Sequence, residues 1–244
     1  MKYYHSTKFK PNPSRVWLGH CVDLAWNYPI ALYKGKGSRK ECSNYRPITL
    51  LSVPGKVFSH VMLARLQPLL TKNRRPEQSG FTAGRSTMDA ILALRLLSEI
   101  HREFNRPLAV AYVDIKAAFD SVDRKALWLA LKGIGVPDLL MRLMQDLHDG
   151  SCARVRIGSQ KSDSFTTRSG VRQGCVLAPS LFCRAMDWIL QRMPPTCGIK
   201  VGQSSFTDDD YADDVALLGH KESDLQTSLY HFNRQANSLG LNVS

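Results

Sequence analysis

Two segments in the first half of the chain carry apolar residues at the spacing of an amphipathic helix. The first follows Pro54-Gly55, and its apolar stripe predicts a core-facing side made of Phe58, Val61, Met62, Leu66 and Leu69. The second opens at Ser86, a predicted N-cap with Asp89 three residues later, and ends before Pro107. Its predicted inward positions are Ile91, Leu94, Leu97, Ile100 and Phe104. Both helices are therefore expected to pack on a core.

Start and stop signals predict further helices along the chain. They run from Asp123 to near Gly133, from Pro137 to about His148, from Pro179 through Leu190, and over residues 222–238. Each begins at a residue suited to a helix N-terminus, and most end at a glycine or a polar turn. These helices are expected to be packing elements.

Short runs rich in apolar residues and bounded by turn residues predict the strands. The strands are predicted at residues 30–33, 108–115, 152–157, 163–168, 199–201, 215–218 and 239–244. Residues 152–168 form a predicted hairpin around Gly158-Ser159-Gln160, and residues 34–40 form a basic loop. Because no repeat, low-complexity tract or clean linker divides the chain, we predict one mixed α/β (α+β) fold with interleaved parts.

The most unusual stretch is residues 206–218, FTDDDYADDVALL, in which acidic residues precede a strand-like apolar run. Adjacent aspartates between two strands fit a tight hairpin, since Asp tolerates turn dihedrals. A hairpin tip would hold the carboxylates of Asp213 and Asp214 still, and two fixed carboxylates are suited to a hard cation such as Mg²⁺. The alternative is a solvated acidic turn.

A third carboxylate, in another predicted strand, favours a metal site over a solvated turn. Asp114 ends the apolar run at residues 108–115, where an unpaired charge would be costly to bury. A metal ion shared with Asp213 would provide the missing partner. Two Mg²⁺ ions roughly 4 Å apart are the usual apparatus of in-line phosphoryl transfer. The residues alone thus indicate a nucleotidyl transfer site.

The net charge of +12 and pI near 9.6 favour a polyanionic partner, of which nucleic acid is the most common. Lys72, Arg74 and Arg75 cluster, while Arg154 and Arg156 alternate with apolar residues along one predicted strand. A strand with one apolar and one basic face can pack on a core and present charge to phosphates. The alternative is a basic protein without such a partner.

Length, cysteine spacing and hydropathy narrow the class of protein. A chain of 244 residues is long enough for one large or two small cored domains. No apolar run approaches the ~20 residues of a membrane span and the polar start is not a signal peptide, so a soluble intracellular protein is expected. The cysteines show no zinc spacing and are expected to be free thiols: Cys21, Cys42, Cys152, Cys175, Cys183 and Cys197.

Five ordered blocks resemble the motifs of one polymerase family. Residues 112–120 (YVDIKAAFD), 170–175 (GVRQGC) and 211–214 (YADD) resemble polymerase motifs A, B and C of the reverse transcriptases of non-LTR (LINE-type) retrotransposons. Residues 44–48 (NYRPI) and 78–86 (QSGFTAGRS) resemble that family's fingers motifs. A YADD sequence alone is a weak match, whereas five blocks in the family's order over about residues 30–244 are a strong one.

The resemblance implies a right-hand polymerase fold with fingers, palm and an antiparallel palm sheet. An irregular arm is expected at residues 1–28 and a reverse transcriptase domain at 29–244, with fingers mainly at 29–108 and 133–168 and palm mainly at 109–132 and 169–244. The family continues with a primer grip and a helical thumb. The chain is therefore interpreted as truncated before both, with the thumb absent.

The resemblance also implies nucleotide-binding residues. Gln173 and Gly174 lie in the block near the nascent base pair, and the glycines flanking Gln173 would let backbone approach a ligand closely. Arg85 and Arg46 lie in the fingers blocks, where a guanidinium would neutralise triphosphate charge. Thr82 departs from the basic residue that the family commonly places after Gly-Phe, which weakens the expected grip on phosphate.

Phe119 lies five residues after Asp114, where the resembling reverse transcriptases carry an aromatic residue. A ring beneath the sugar of the incoming nucleotide would collide with a 2′-hydroxyl and so select deoxynucleotides. The alternative is a core phenylalanine that anchors the turn.

The activity implied by the resemblance is RNA-directed DNA polymerisation, with Asp114, Asp213 and Asp214 as catalytic metal ligands. The expected cofactor is a pair of Mg²⁺ ions, with Mn²⁺ as a substitute, and the expected partners are an RNA template, a DNA primer and dNTPs. The family implies a location in nucleus and cytoplasm. Two alternatives stay open: a non-catalytic nucleic-acid-binding remnant of a retroelement, and an RNA-dependent RNA polymerase, which Phe119 opposes. The sequence does not indicate an oligomeric state.

Overall fold

The computed structural model describes residues 28–41, 44–153, 156–157, 160–161, 163–194 and 197–244. The predicted N-terminal arm lies outside these ranges except for Tyr28, which begins the first strand. The helices are α1 (Val53–Lys72), α2 (Thr87–Glu103), α3 (Ala118–Ser121), α4 (Arg124–Lys132), α5 (Asp138–His148), α6 (Leu177–Leu190) and α7 (Glu222–Ser238).

The strands are short and fall into small antiparallel groups. They are β1 (Tyr28–Tyr33), β2 (Tyr45–Leu50), β3 (Ala109–Val113), β4 (Ile115–Lys116), β5 (Cys152–Ala153), β6 (Arg156–Ile157), β7 (Gln160–Lys161), β8 (Phe165–Thr166), β9 (Ile199–Val201), β10 (Ser204–Phe206), β11 (Asp208–Tyr211), β12 (Asp214–Gly219) and β13 (Asn242–Val243). The predicted mixed α/β class is confirmed.

A three-stranded antiparallel sheet, ordered β11-β12-β3, lies at the centre. Its middle strand is buried from Val215 to Gly219, and Val215 pairs with Val113 of β3. A strand covered on both faces needs the continuous apolar run that the sequence shows here. Smaller pairs surround this sheet, among them β1 with β2 and β13 with β4.

Helix α6 forms the core against which the other helices pack. Its sequence is mostly apolar, and the polar residues Ser180, Arg184 and Asp187 are buried together with the apolar ones. It contacts α1, α4 and α7. Its fully buried members include Leu177, Leu181, Phe182, Met186 and Ile189.

The predicted helix starts are confirmed by the contacts at their caps. The backbone N–H of Ser86 donates to the Asp89 carboxylate at 2.6 Å, and the Asp123 carboxylate accepts from the N–H of Ala126 at 2.8 Å. Pro137 precedes the first residue of α5, and Pro179 lies in the first turn of α6. These local signals need no tertiary contact to operate, so the sequence alone reveals them.

Three predicted core positions are wrong. Val61, Ile91 and Phe104 are 52%, 58% and 61% exposed. The buried face of α1 runs through Met62 and Leu66 instead. Within the described chain α2 contacts chiefly β11, so much of its apolar surface has no covering element. An apolar stripe shows that a face can be buried, but not whether a neighbour covers it.

The hairpin predicted at residues 152–168 is confirmed by the pairing of β5 with β8 and of β6 with β7, although Gly158 and Ser159 lie outside the described residues. Cys152, Cys175, Cys183 and Cys197 are free thiols, as predicted, and Cys21 and Cys42 lie outside the described residues. No helix among the described residues is both long and apolar enough to cross a membrane. The division into fingers and palm stays a prediction.

The cap of α4 gives a measurable stability contribution. Asp123→Ala should lower the free energy of unfolding by about 1 kcal/mol, because it leaves the Ala126 N–H without its acceptor. Urea unfolding followed by circular dichroism measures this change. The matched control is Asp146→Ala, on the exposed side of α5, which should change the value by less than about 0.5 kcal/mol. Equal losses in the two variants would contradict the capping role.

Candidate active site

The predicted acidic hairpin is present at the edge of the central sheet. Strands β11 and β12 are joined through Ala212 and Asp213, with Tyr211 paired to Asp214. Ala212 adopts a φ of 60°, in the left-handed region that few non-glycine residues enter. The turn is thus tight, as predicted, and it leaves Asp213 half-buried and Asp214 exposed.

Asp114 reaches the same end of the sheet from β3. Val113 pairs with Val215, so continuing the antiparallel register by one residue places Asp114 opposite Asp214. Asp114 is exposed, and its carbonyl accepts a hydrogen bond from the N–H of Ser244 at 2.9 Å. Two segments about a hundred residues apart in sequence therefore deliver carboxylates to one place.

The pKa of Asp213 reflects its burial and the charges of the neighbouring carboxylates. Burial raises the pKa of the Asp213 carboxyl above its ordinary value, and the charges of Asp214 and Asp114 raise it further. The charge of Arg46, on β2, acts in the opposite direction. Negative charge therefore accumulates at this point with only partial compensation from the described residues.

The two predicted arginines act at different places. Arg46 is exposed on β2 and exerts its charge on Asp213. Arg85 precedes α2 and exerts its charge on Asp89 and Asp209. Arg46 thus acts on one of the catalytic candidates, whereas Arg85 acts on Asp89 of α2 and Asp209 of β11.

The glycines around Gln173 approach protein backbone. Gly174 has a φ of +96°, and a Cβ there would lie 2.6 Å from the carbonyl oxygen of Thr49 on β2. A Cβ at Gly170 would lie 2.6 Å from the carbonyl oxygen of Asp120. Gln173 itself accepts from the Thr49 N–H at 2.7 Å and donates through its side chain to Asp120 at 2.9 Å. The two glycines thus allow close packing against β2 and against α3. The role of Gln173 and Gly174 at a nucleotide stays a prediction.

Phe119 lies between two other rings. It stacks on buried Phe182 with centroids 4.6 Å apart and meets Phe81 edge-on at 6.3 Å. Phe81 is 51% exposed and has a φ of 50°. The ring of Phe119 therefore has a packing role on one side and a half-exposed neighbour on the other, so both sequence interpretations remain compatible with its position.

A buried ion cluster lies behind the hairpin and was missed by the sequence analysis. The Arg75 guanidinium is 2.7 Å from the Asp208 carboxylate and 3.6 Å from that of Asp210. Arg75 was expected among surface basic residues, but its side chain is only 9% exposed. Burial would lower the pKa of Arg75, but the charges of Asp208 and Asp210 outweigh it and raise the pKa. The alternation of Asp208 and Asp210 along a strand was the available signal, since residues two apart share a face.

Neighbouring acids in this cluster hold their protons more tightly than usual. Burial raises the pKa of Asp187 to about 6, and burial with the charge of Asp208 raises that of Asp209 to about 6. Burial and the charge of Asp208 likewise raise the pKa of Asp210 well above its ordinary value. The nearby arginines therefore compensate only part of the charge and burial of these acids.

Gln78 is the second residue missed. It lies in the predicted block at residues 78–86 but had no assigned role. Its side chain is buried and hydrogen-bonds Ala212, Gly80 and Asp210. A lone glutamine gives no sequence signal for such contacts, because they depend on where β11 lies.

A family model described as "Reverse transcriptase (RNA-dependent DNA polymerase)" matches residues 34–244. The chain is 29% identical over 191 residues to a Drosophila melanogaster protein named "Retrovirus-related Pol polyprotein from type-2 retrotransposable element R2DM", covering 78% of this chain and 18% of that protein. It is 33% identical over 196 residues to the "Putative 115 kDa protein in type-1 retrotransposable element R1DM" of the same species, covering 79% and 18%.

A third relative, "Probable RNA-directed DNA polymerase from transposon X-element" of Drosophila melanogaster, is 29% identical over 228 residues, covering 87% of this chain and 24% of that protein. The chain thus spans between 18% and 24% of the length of these relatives. The resemblance to non-LTR retrotransposon proteins is confirmed over most of the chain.

Solved structures show the same fold. The apo telomerase of Candida tropicalis superimposes with a TM-score of 0.65 at 11% identity, covering 98% of this chain and 45% of that chain. The Candida albicans telomerase in complex with a fragment of telomeric RNA gives 0.60 at 9% identity, covering 89% and 40%. At such identities the likeness concerns the fold.

The Asp187 carboxyl makes stability depend on pH. Its pKa of about 6 exceeds the ordinary value of 3.8, so the folded protein binds this proton more tightly than the unfolded chain between those pH values. The contribution is fully present below about pH 4 and is lost as pH rises through 6. Asp187→Asn should therefore raise the free energy of unfolding by about 2 kcal/mol at pH 8 and not at pH 4.

Urea unfolding at both pH values measures the difference. Asp146→Asn, which changes an exposed carboxyl on α5, is the matched control and should show no such pH-dependent gain. A gain of equal size at pH 4 and pH 8 would show that Asp187 does not titrate as described.

Proposed function

The chain belongs to the reverse transcriptase family, and on that basis we propose that it forms the nucleotidyl transfer core of an RNA-directed DNA polymerase. The proposed reaction is template-directed attack of a primer 3′-hydroxyl on the α-phosphate of a deoxynucleoside triphosphate, with release of pyrophosphate. The proposed partners are an RNA template, a DNA primer and dNTPs. The net charge of +12 supports contact with these polyanions.

One observation supports this proposal above the others: Asp114, Asp213 and Asp214 lie at the same end of the central sheet, and burial together with the charges of the other two raises the pKa of Asp213. A purely structural role would favour carboxylates that are far apart or paired with cationic side chains, because neighbouring like charges repel. Carboxylates that lie near one another are suited to binding a cation.

The donor set suits a divalent cation of the Mg²⁺ class, which takes oxygen ligands. Within the part of the chain that the structure describes, no three His, Cys, Asp or Glu side chains are already gathered closely enough to hold a metal ion. That is compatible with Mg²⁺, which commonly uses one or two carboxylates together with water and substrate phosphates. We assign Asp114 and Asp213 as the residues that would hold it, with Asp214 as a third contributor. Two such ions, when bound, would activate the attacking oxygen and stabilise the leaving group.

The remaining residues would position and select the substrate. Arg46, whose charge already acts on Asp213, is placed to neutralise triphosphate charge, and we assign Arg85 a weaker part in the same task. Gln173 and Gly174 would border the nascent base pair, held by β2 and Asp120. Phe119 would lie beneath the sugar. Holding the reactants in register accounts for much of the rate in this type of chemistry.

Asp213→Asn tests the site directly. We expect folding and nucleic-acid binding to remain and polymerisation to fall by more than roughly a thousandfold, about 4 kcal/mol, because a metal ligand is lost. Thermal stability should rise slightly, since the substitution relieves repulsion from Asp114 and Asp214. Primer extension on an RNA template with Mg²⁺ and dNTPs measures the rate.

That assay should be run on this chain and on a product extended to the length of its relatives, with Asp146→Asn as the matched control. Extension by the Asp213→Asn variant within tenfold of the unsubstituted protein would refute the two-metal assignment. Template-dependent binding without extension in either product would favour the non-catalytic interpretation.

Phe119→Val tests sugar selection. Removing the ring should raise ribonucleotide incorporation by at least roughly tenfold, equivalent to ~1.4 kcal/mol, while deoxynucleotide incorporation falls much less. Loss of the stack on Phe182 should also lower the melting temperature. Competitive incorporation of rNTPs and dNTPs gives the ratio, and Phe104→Val, at an exposed phenylalanine, is the control. Equal loss of both activities would assign Phe119 to packing alone.

A further inference from the structure

Gln78 lies in the turn between α1 and α2, yet it is only 1% exposed. Its side-chain oxygen accepts from the backbone N–H of Ala212 at 2.9 Å and from that of Gly80 at 2.7 Å. Its side-chain nitrogen donates to the Asp210 carboxylate. One amide therefore spans the segment at residues 78–80, the strand β11 and the turn that follows it.

The orientation of this amide follows from its partners. Backbone N–H groups can only donate, so the two that face Gln78 require its oxygen on their side. The nitrogen must then face Asp210, which offers an acceptor. In the reverse orientation the Gln78 side-chain nitrogen would face the N–H groups of Ala212 and Gly80, and its oxygen would face the Asp210 carboxylate. Buried groups of this kind are satisfied only in the observed arrangement.

Backbone contacts fix the same two segments against each other. The Ser79 N–H donates to the Asp210 carbonyl at 2.9 Å, and Gln78 forms a parallel bridge with Asp210. A Cβ at Gly80 would collide with the backbone nitrogen of Ala212. The segment at residues 78–80 is thus seated directly along the edge of β11, with no room for a side chain between them.

Arg74 secures this segment from its other side. Its guanidinium donates to the Gly80 carbonyl at 3.2 Å and to the Thr82 hydroxyl at 2.7 Å. The position of Gln78 is therefore set independently of the turn that it contacts. A fixed donor–acceptor group can hold a flexible neighbour in place, whereas a mobile one cannot.

The turn at Ala212, which Gln78 contacts, has a strained backbone that needs an external contact to hold it. Ala212 holds a φ of 60°, which is unfavourable for a residue with a Cβ and persists only where surrounding contacts enforce it. The N–H of Ala212 belongs to the peptide plane that joins Tyr211 to Ala212, one plane before the peptide that joins Ala212 to Asp213. Because the φ of Ala212 is confined to the left-handed region, fixing the first plane also restricts the orientation of the second, and with it the direction in which the Asp213 carboxylate can point.

We propose that Gln78 is a positioning residue that holds Asp213 in its catalytic orientation through the Ala212 amide. The catalytic consequence of this inference rests on the proposed function. The hydrogen bond between Gln78 and the Ala212 amide can be tested without activity. Gln78 touches neither substrate nor metal in this scheme, and acts through the turn.

Three substitutions separate the contributions of this side chain. Gln78→Leu removes every hydrogen bond. Gln78→Asn keeps a polar group but shortens the side chain so that it no longer reaches both Ala212 and Asp210. Gln78→Glu keeps the length and an acceptor oxygen for Ala212, and it replaces the donor to Asp210 by a carboxyl that stays in contact when the pair shares one proton. Gln145→Leu, on the exposed side of α5, is the matched control.

Amide hydrogen exchange, followed residue by residue, reports directly on the hydrogen bond from the Ala212 N–H to Gln78. In Gln78→Leu and Gln78→Asn the Ala212 amide should exchange at least roughly tenfold faster than in the unsubstituted protein. The amide of Leu218, which donates to Thr207 at 2.9 Å in the same sheet region, should keep its protection. Gln78→Glu and Gln145→Leu should leave Ala212 near its original rate.

Single-turnover primer extension adds the catalytic readout. A positioning role predicts a rate at least roughly tenfold lower in Gln78→Leu and Gln78→Asn, with burst amplitude and dNTP affinity maintained and recovery in Gln78→Glu. A merely structural role predicts a smaller burst amplitude at an unchanged rate. If Gln78→Leu does not fold, Gln78→Asn decides between these outcomes.

The proposal is overturned if Ala212 exchange is unchanged in the folded variants, if Ala212 and Leu218 accelerate together, or if only the burst amplitude falls. Failure of the proposed function is distinguishable, because it shows as absence of extension by the unsubstituted protein extended to the length of its relatives. Asp213→Asn should abolish extension but leave Ala212 exchange unchanged, because the hydrogen bond between Gln78 and Ala212 does not involve Asp213.

Discussion

The pairing of β3 with β12 is the contact on which the rest of the molecule depends. It joins segments about a hundred residues apart, and its register alone places Asp114 opposite Asp214. A shift by one residue would turn Val113 and Val215 outward and the carboxylates inward, exchanging a buried apolar face for buried charge. The hydrophobic cost of that exchange protects the geometry of the site. Fold and chemistry are thus secured by the same apolar pairs.

A second constraint comes from the charge on β11. Asp208 and Asp210 point away from the site and meet Arg75 at the end of α1. A buried ion pair of this kind adds little net stability, since desolvation offsets most of the attraction. It does restrict which face of β11 lies toward Arg75, because the opposite face would remove both Asp208 and Asp210 from the guanidinium. The ion cluster therefore contributes more to the orientation of β11 than to the free energy of unfolding.

The features that depend on local forces could be predicted from the sequence. They are the caps at Ser86 and Asp123, the tight turn at Ala212-Asp213 and the buried run of β12. Features that depend on a partner distant in sequence could not be predicted. Val61 and Ile91 have the right spacing for a core but no described element covers them, and Arg75 resembles a surface residue until β11 is placed beside it. Gln78 has no pattern at all, since its three partners come together only in the fold.

The contact between Gly174 and β2 has a mechanical consequence. The carbonyl of Gln173 and the N–H of Thr49 bind the loop to the strand that carries Arg46, with no space for a side chain between them. A displacement of β2 would therefore carry the backbone of Gln173 with it or break this hydrogen bond. Because the Gln173 side chain also donates to Asp120, such a displacement would change that contact as well. The strand that holds Arg46 and the loop that holds Gln173 are in this way mechanically coupled.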